Sequence, residues 1–126
     1  MDRVTLGRTG LNVSVLGIGA GGPSQMGKRA GKSDADSAAI LLQAFDAGVN
    51  FVDSSENYGT EPAIGLSLKT IPRTQLIIST KKSSGNAKAA DVAPALEKSL
   101  TRLCTDYIDV YNLHGVFPDD YKRCAE

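Results

Sequence analysis

Short apolar segments recur along the chain at nearly regular intervals. They begin near Val15, Val49, Leu76 and Tyr107, so that successive starts are 34, 27 and 31 residues apart. A strand, a crossover helix and the next parallel strand together need about 30 residues or more, so this spacing is typical of repeated βα units. The segments are continuously apolar, which indicates parallel strands buried on both faces. The sequence therefore predicts an α/β protein with about four parallel strands.

Helix signals fill the gaps between these segments. Ser33 or Asp34 is a good N-cap for a first helix, and Gly48 is a natural stop after it. A second helix is predicted to begin near Thr60 and to end at residues 71–72, and a third is predicted to begin near Asp91. The apolar residues predicted to face the sheet are 40, 41, 44 and 45 in the first helix, 64 and 68 in the second, and 92, 96, 100 and 103 in the third.

Further elements flank the βα units. Residues 3–6 and 11–14 alternate around a glycine-containing turn, which predicts a β-hairpin ahead of the first parallel strand at residues 15–19. Residues 21–32 contain four glycines and a proline and are predicted to form a loop. Residues 121–126 are predicted to begin another helix.

Polar residues stand where the predicted strands end. Asp53, Lys81 and His114 each follow an apolar segment, and Tyr58 comes five residues after Asp53. The carboxyl ends of parallel strands open onto one face, where ligands bind, so we expect these four side chains to converge. Lys82 points to the other side of its strand, which favours Lys81. A cation near a phenol lowers the phenol's pKa from its ordinary value of about 10, so Tyr58 is a candidate proton donor.

Each of these residues also has a purely structural interpretation. Asp53 can cap a turn, Tyr58 can be an ordinary loop aromatic, Lys81 can be solvated and His114 can bond to the backbone. Taken singly, each structural interpretation is favoured. Taken together, a chance placement of all four on the active face is the weaker explanation.

Three segments resemble the aldo/keto reductase family. They are residues 51–61 (FVDSSENYGTE), residues 78–82 (ISTKK) and residues 106–114 (DYIDVYNLH). They are similar to the aspartate-to-tyrosine segment, the lysine strand and the histidine strand of that family. The resemblance runs from about residue 3 to the end of the chain.

The resemblance implies a mechanism and a role for each residue. Hydride would pass from NADPH to a carbonyl carbon, with Tyr58 as the general acid. Lys81, paired with Asp53, would lower the pKa of the phenol, and His114 would orient the carbonyl oxygen. Asp53 would also lie near the nicotinamide ribose. The implied substrate is a small-molecule aldehyde, ketone or sugar.

The length of the chain bears on this interpretation. An eight-stranded barrel typically needs about 250 residues, and roughly 200 at least, whereas this chain has 126. We interpret residues 1–126 as an incomplete, N-terminal half of the domain. The predicted fold is the first half of a (β/α)8 TIM barrel, with about four parallel strands and three helices behind a β-hairpin. The family keeps most NADPH contacts in its second half, so we expect an inactive monomer whose open edges favour self-association.

Two alternatives remain open from the sequence. Residues 17–22 (GIGAGG) satisfy the glycine pattern of a Rossmann dinucleotide site. However, Pro23 follows immediately, and Asp53 lies 31 residues beyond Gly22 against an expected distance of about 20. The glycines are equally typical of a loop that lets a ligand approach closely. The other alternative is a non-catalytic half-barrel remnant or interaction module.

Composition sets the remaining expectations. Fourteen basic residues balance 14 acidic ones, which predicts no nucleic-acid partner. No segment reaches the roughly 18 apolar residues of a membrane span, and we find no signal peptide. Cys104 and Cys124 are predicted to be free thiols in a reducing cytoplasm, with no disulfide and no metal site.

Overall fold

A β-hairpin precedes four βα units. The computed structural model describes residues 1–125, with side chains at all of these positions except 121, 124 and 125. The strands are β1 (Arg3–Thr5), β2 (Asn12–Ser14), β3 (Ile18–Gly19), β4 (Phe51–Asp53), β5 (Ile77–Ser83) and β6 (Val110–His114). The helices are α1 (Asp34–Asp46), α2 (Glu61–Ser67), α3 (Val92–Leu103) and α4 (Pro118–Ala125), with 3-10 turns at Gln25–Ala30, Arg73–Gln75 and Ala89–Asp91.

The strands form two sheets. β1 and β2 pair antiparallel, and β3, β4, β5 and β6 form a parallel sheet in that order. The predicted hairpin is confirmed, and the sequential strand order is the one that the predicted half-barrel requires. A Rossmann sheet places its first strand in the interior, whereas β3 lies at an edge of the described four-stranded sheet. The Rossmann alternative is therefore wrong.

The core lies between the parallel sheet and the helices. Val52 of β4 and Ile78 of β5 are completely buried, and they cluster with Leu41 of α1, Ile64 of α2 and Leu103 of α3. Each of these three helices contributes one completely buried leucine or isoleucine, so the burial of apolar surface fixes α1, α2 and α3 against the sheet. This packing holds the carboxyl ends of the strands in register with one another.

The first helix begins and ends where the sequence predicts. The hydroxyl of Ser33 accepts a hydrogen bond from Asp36 N, and the Asp36 carboxylate accepts one from Ser33 N. This reciprocal pair is a capping box, which satisfies two backbone donors of the first turn. After the helix, Gly48 has a φ of +96°, a conformation that glycine adopts without strain.

The first parallel strand is shorter than predicted. Only Ile18 and Gly19 pair with β4, while Val15 and Leu16 are about 60% exposed. The hairpin causes the difference, because Val15 N donates to Asp2 O and the Ser14 hydroxyl donates to Leu16 O. These bonds hold the segment against the hairpin and away from the sheet.

The predicted loop at residues 21–32 also contains regular structure. Its 3-10 turn, Gln25–Ala30, carries Met26 into the core, where this side chain is only 4% exposed. The Ser37 hydroxyl of α1 donates to Met26 O and fixes the turn. The loop therefore helps to form the core.

Three other predicted boundaries shift. β6 begins at Val110 and not near Tyr107, because Arg73 stacks over the Tyr107 ring at 3.8 Å and donates to its carbonyl oxygen. Helix α2 ends at Ser67, ahead of the predicted end at residues 71–72, and α4 begins at Pro118, ahead of residue 121.

Two predicted cap positions and two predicted stripes also differ in detail. Thr60 and Asp91 occupy the N-cap positions, but their side chains do not cap the helices. Ile40 is 39% exposed, so it does not face the core of α1. On α3 the most buried positions are Ala95, Ser99 and Leu103, and the predicted residues 92, 96 and 100 are only partly buried.

The structure also bears on the predictions about membrane spans and free cysteines. Within residues 1–125, no helix is both long enough and apolar enough to cross a membrane. Cys104 has an exposed, free thiol. The side chain of Cys124 lies outside the described part of the chain.

Helices α2 and α3 cross at Gly65, and we expect Gly65→Ala to destabilise the fold. A Cβ atom there would lie 2.7 Å from Leu103 O and 2.8 Å from Arg102 O. Because these atoms belong to the backbone, the helices must separate. We expect overpacking of about 3 kcal/mol to outweigh the roughly 1 kcal/mol that alanine gains in a helix, a net loss of about 2 kcal/mol. Urea unfolding measures this change. Gly85→Ala is the control, since its Cβ meets nothing within 4 Å, and equal stability of the two variants would contradict the prediction.

Candidate active site

The four predicted site residues lie together at the carboxyl edge of the parallel sheet. Asp53 is the last residue of β4, Lys81 lies in the second half of β5, and His114 is the last residue of β6. Tyr58 lies in the loop between β4 and α2. The parallel register brings these strand ends to the same edge, as the sequence predicts.

Asp53 and Lys81 form an ion pair. Lys81 Nζ lies 2.5 Å from Asp53 Oδ2 and donates a second hydrogen bond to Ser54 O at 2.6 Å. The other carboxylate oxygen, Asp53 Oδ1, accepts from the Ser79 hydroxyl at 2.7 Å. The Asp53 side chain is 41% exposed, but that of Lys81 is only 16% exposed. The ammonium group is therefore held in one place while the carboxylate remains accessible to a ligand.

Tyr58 stands between a cation and an imidazole. Its hydroxyl oxygen lies 3.2 Å from His114 Nε2, and the two rings meet edge to face with centroids 5.4 Å apart. Lys81 Nζ lies 5.5 Å from the centroid of the Tyr58 ring. The phenol thus has a hydrogen-bond partner at its oxygen and a positive charge close to its ring.

The first βα loop packs directly against Tyr58. A Cβ atom on Gly21 would lie 2.4 Å from Cε2 and 2.6 Å from Cζ of the Tyr58 ring. The sequence suggests that the glycines of this loop allow a ligand to approach closely. The structure shows that one of them accommodates the ring of the candidate proton donor.

Glu56 anchors the loop that carries Tyr58, and sequence reasoning missed it. Its carboxylate accepts from Lys82 Nζ at 3.0 Å and from Ser83 N at 2.8 Å, and Glu56 N donates to Lys81 O. Lys82 therefore pairs with this loop. The run of polar residues between Asp53 and Tyr58 is the signal that could have indicated such an anchor, because loops at strand ends position functional groups.

Acid stability tests this anchor through the pKa of Glu56. Burial acts to raise this pKa, but the hydrogen bonds from Ser83 and Lys82 outweigh burial, so the pKa lies below its ordinary value of 4.5. A carboxyl group of this kind stabilises the fold above its unfolded pKa, and the contribution is lost as the pH falls through the folded pKa. We expect Glu56→Gln to lower the free energy of unfolding by about 1 kcal/mol at neutral pH. The deficit should disappear as the pH falls below 4.5.

Urea unfolding of both proteins from neutral to acidic pH measures the effect. Glu97→Gln is the matched control, because Glu97 lies exposed on α3 and its replacement should leave the pH dependence unaltered. A constant deficit of Glu56→Gln at every pH would contradict the prediction.

Comparison with known proteins identifies the family. The family model for the Aldo/keto reductase family matches residues 15–125. The L-galactose dehydrogenase of Arabidopsis thaliana is 36% identical over 121 residues, which is 88% of this chain and 37% of that protein.

Solved structures agree with this match. A holo aldo-keto reductase from Bacillus halodurans superposes with a TM-score of 0.82 at 30% identity, over 98% of this chain and 44% of that chain. The Bombyx mori aldo-keto reductase in complex with NADP superposes with a TM-score of 0.75 at 25% identity, over 94% of this chain and 40% of that chain.

The fold and the strand-end site together define the N-terminal part of a (β/α)8 barrel, as predicted. The chain belongs to the aldo/keto reductase family, a family of oxidoreductases. It spans less than half the length of these relatives.

Proposed function

We propose that the site serves an NADP-dependent oxidoreductase that reduces the carbonyl group of an aldehyde, ketone or sugar. The geometry of Tyr58 carries the proposal. Its hydroxyl lies 3.2 Å from His114 Nε2, and its ring lies 5.5 Å from the ammonium group of Lys81. These are the surroundings that a neutral phenol needs if it is to give up its proton during the reaction.

The residues of this edge fit a nicotinamide cofactor in one respect. Asp53 presents a carboxylate that is 41% exposed at the carboxyl end of β4, and a carboxylate can accept hydrogen bonds from ribose hydroxyls. We propose Asp53 as a residue that holds the nicotinamide ribose. The cofactor, when bound, supplies the hydride.

Tyr58 acts as the general acid in this proposal. As negative charge develops on the carbonyl oxygen, the Tyr58 hydroxyl donates its proton to that oxygen. Lys81 stabilises the phenolate that remains, and Asp53 keeps the ammonium group in position through their ion pair. General acid catalysis of this kind contributes roughly a hundred- to ten-thousand-fold to the rate.

His114 positions the substrate. Its Nε2 atom faces the Tyr58 hydroxyl, so an N–H group there would donate to the same carbonyl oxygen that receives the proton. Two donors that converge on one oxygen fix both the position of the carbonyl and its polarisation. In the reverse direction the same groups would remove a proton from an alcohol.

A non-catalytic interaction module is the second candidate, and an apolar surface favours it. Val4 and Val15 are at least half exposed. They line a cavity of about 410 Å³ between the hairpin, β3 and β4, together with Ile18 and Phe51. Exposed apolar surface of this kind is typical of a face that another protein segment covers. Binding of another protein segment through this face, without any catalysis, is therefore the main alternative to the enzyme.

Cofactor binding separates the two candidates. The chain, fractionated by size, is titrated with NADPH and assayed with a panel of aldehydes, ketones and sugars. A change in NADPH fluorescence with micromolar affinity supports the enzyme, and its absence in every fraction supports the interaction module. We expect any turnover in fractions larger than the monomer. The cytoplasmic location stays a prediction, consistent with the free thiol of Cys104.

A chimera provides a defined assembly for kinetics. In it, this chain replaces the segment that it matches in the Arabidopsis thaliana L-galactose dehydrogenase, which retains the remainder of its own sequence. We expect the folded chimera to oxidise L-galactose with a nicotinamide cofactor. A folded chimera without activity, beside an active parent, would contradict a catalytic role for the four residues.

A further inference from the structure

Ser55 contacts the side of the His114 ring that faces away from Tyr58. Its hydroxyl oxygen lies 3.1 Å from His114 Nδ1, while Nε2 of the same ring lies 3.2 Å from the Tyr58 hydroxyl. The three side chains therefore form one continuous chain of hydrogen bonds. In a neutral imidazole one nitrogen donates and the other accepts, so the contact at Nδ1 decides what Nε2 can do.

The surroundings of Ser55 determine the direction of its own hydroxyl proton. The side chain is completely buried, so it must find its partners among protein groups. Apart from Nδ1, its hydroxyl reaches Lys81 O at 3.5 Å, which is long for an O–H donor. If Nδ1 carried the ring proton and donated to Ser55, the serine proton would be left with this weak acceptor. A buried donor without a good partner costs about 1–3 kcal/mol.

We infer that Ser55 is a positioning residue that donates to His114 Nδ1 and thereby keeps the ring proton on Nε2. This tautomer sets the direction of both hydrogen bonds among Ser55, His114 and Tyr58. Nε2–H donates toward the Tyr58 hydroxyl, so the Tyr58 oxygen accepts and its proton is free for another acceptor. The opposite tautomer would accept the Tyr58 proton at Nε2 and withhold it from a substrate.

This inference rests on the proposed function for its catalytic consequence. Ser55 touches no reacting atom, and it acts through His114 alone. Through the His114 ring, the Ser55 hydroxyl makes two donors available to the carbonyl oxygen of the substrate, namely Nε2–H and the Tyr58 O–H. The tautomer itself is a property of the folded chain and can be measured without cofactor or substrate.

Nuclear magnetic resonance tests the tautomer directly. The chain has one histidine, so long-range ¹H–¹⁵N correlation of its ring nitrogens yields a single set of signals. Spectra are recorded up to about pH 9, above the ordinary titration range of histidine. In the folded wild-type chain we expect Nε2 to be protonated and Nδ1 to be an unprotonated acceptor. A wild-type spectrum with the proton on Nδ1 would overturn the inference by itself.

Neighbouring serines offer matched variants. In Ser55→Ala we expect the shifts of the two nitrogens to move toward each other, because both tautomers become populated. Ser54→Ala is the control, since the Ser54 hydroxyl bonds to the Thr60 hydroxyl at 2.9 Å, and its spectrum should match the wild type. An unaltered tautomer in folded Ser55→Ala would also overturn the inference.

Kinetics of the chimera give an independent readout. We expect Ser55→Ala to lower kcat about tenfold and to leave the KM for the cofactor unaltered, because the cofactor contact proposed above is made by Asp53 and not by His114. If the tautomer depends on Ser55 but the protein binds no nicotinamide cofactor, the proposed function fails and the inference about Ser55 stands.

Discussion

Replacing Tyr58 by phenylalanine should lower kcat of the active chimera by a hundred- to ten-thousand-fold, about the usual contribution of a general acid. The substitution removes only the hydroxyl that lies 3.2 Å from His114 Nε2. The ring remains against Gly21, so the site keeps its shape and cofactor affinity should be nearly intact. Steady-state kinetics with a cofactor titration measure both quantities. A variant that keeps more than about a tenth of the wild-type rate would show that Tyr58 is not the general acid.

Tyr111→Phe is the matched control for this experiment. Burial, followed by the negative charges of Glu56 and Glu61, raises the pKa of Tyr111 to about 12, so this phenol stays neutral under assay conditions. Its hydroxyl is buried near Ser99 but makes no hydrogen bond of good geometry among the described residues. We expect Tyr111→Phe to preserve the rate. A loss as large as that of Tyr58→Phe would mean that removal of any tyrosine hydroxyl damages the protein.

Gly21→Ala should lower kcat about a hundredfold although it removes no functional group. The added Cβ would lie 2.4 Å from the Tyr58 ring, so the ring must move to admit it. A displacement of about 1 Å of a reacting group can cost about a hundredfold in rate. Steady-state kinetics of the chimera measure the loss, and the position of the Tyr58 ring signals in NMR spectra reports the displacement.

Gly19→Ala separates displacement of Tyr58 from a general effect of adding a methyl group to the glycine-rich segment at residues 17–22. A Cβ at Gly19 meets nothing within 4 Å, and its backbone is not in the left-handed region. We expect this variant to retain the wild-type rate. If Gly21→Ala matched it, the close contact between Gly21 and Tyr58 would have no role in catalysis.

The parallel sheet and the strand-end residues are predictable from the sequence. Continuous apolar segments about 30 residues apart indicate βα units. The carboxyl ends of such strands share one edge, which is why the sequence predicts that Asp53, Lys81 and His114 lie together. Tyr58 follows from its distance to Asp53. These predictions depend on the regular spacing of the apolar segments, so they remain valid when a strand boundary shifts by a few residues.

Other features depend on contacts that periodicity does not encode. Val15 and Leu16 have the composition of a buried strand, but hydrogen bonds to the hairpin hold them at the surface. Met26 lies in a loop whose glycines predict irregular structure. Its backbone nevertheless has a left-handed conformation that places the side chain in the core. In both cases tertiary hydrogen bonds, and not the local composition, determine where the segment lies.

The supporting contacts of the site were missed for a similar reason. Ser55 and Glu56 lie between Asp53 and Tyr58 in the same loop, and their polar composition indicates only that the loop is not a strand. Which of them meets His114 and which meets β5 depends on the turn that ends at Tyr58, where Tyr58 N donates to Ser55 O. The geometry of such a turn cannot be predicted from residue types alone.

Transfer of label from the cofactor tests the central claim most directly. The chimera is supplied with the reduced form of the nicotinamide cofactor that its parent uses, deuterated at the position that leaves as hydride, together with a carbonyl compound that the parent reduces. The product is examined by mass spectrometry. The catalytic assignment predicts deuterium on the former carbonyl carbon, and its near-complete loss in Tyr58→Phe. A folded chimera that forms no deuterated product beside an active parent, or a Tyr58→Phe variant that labels the product as fast as the wild type, would contradict it.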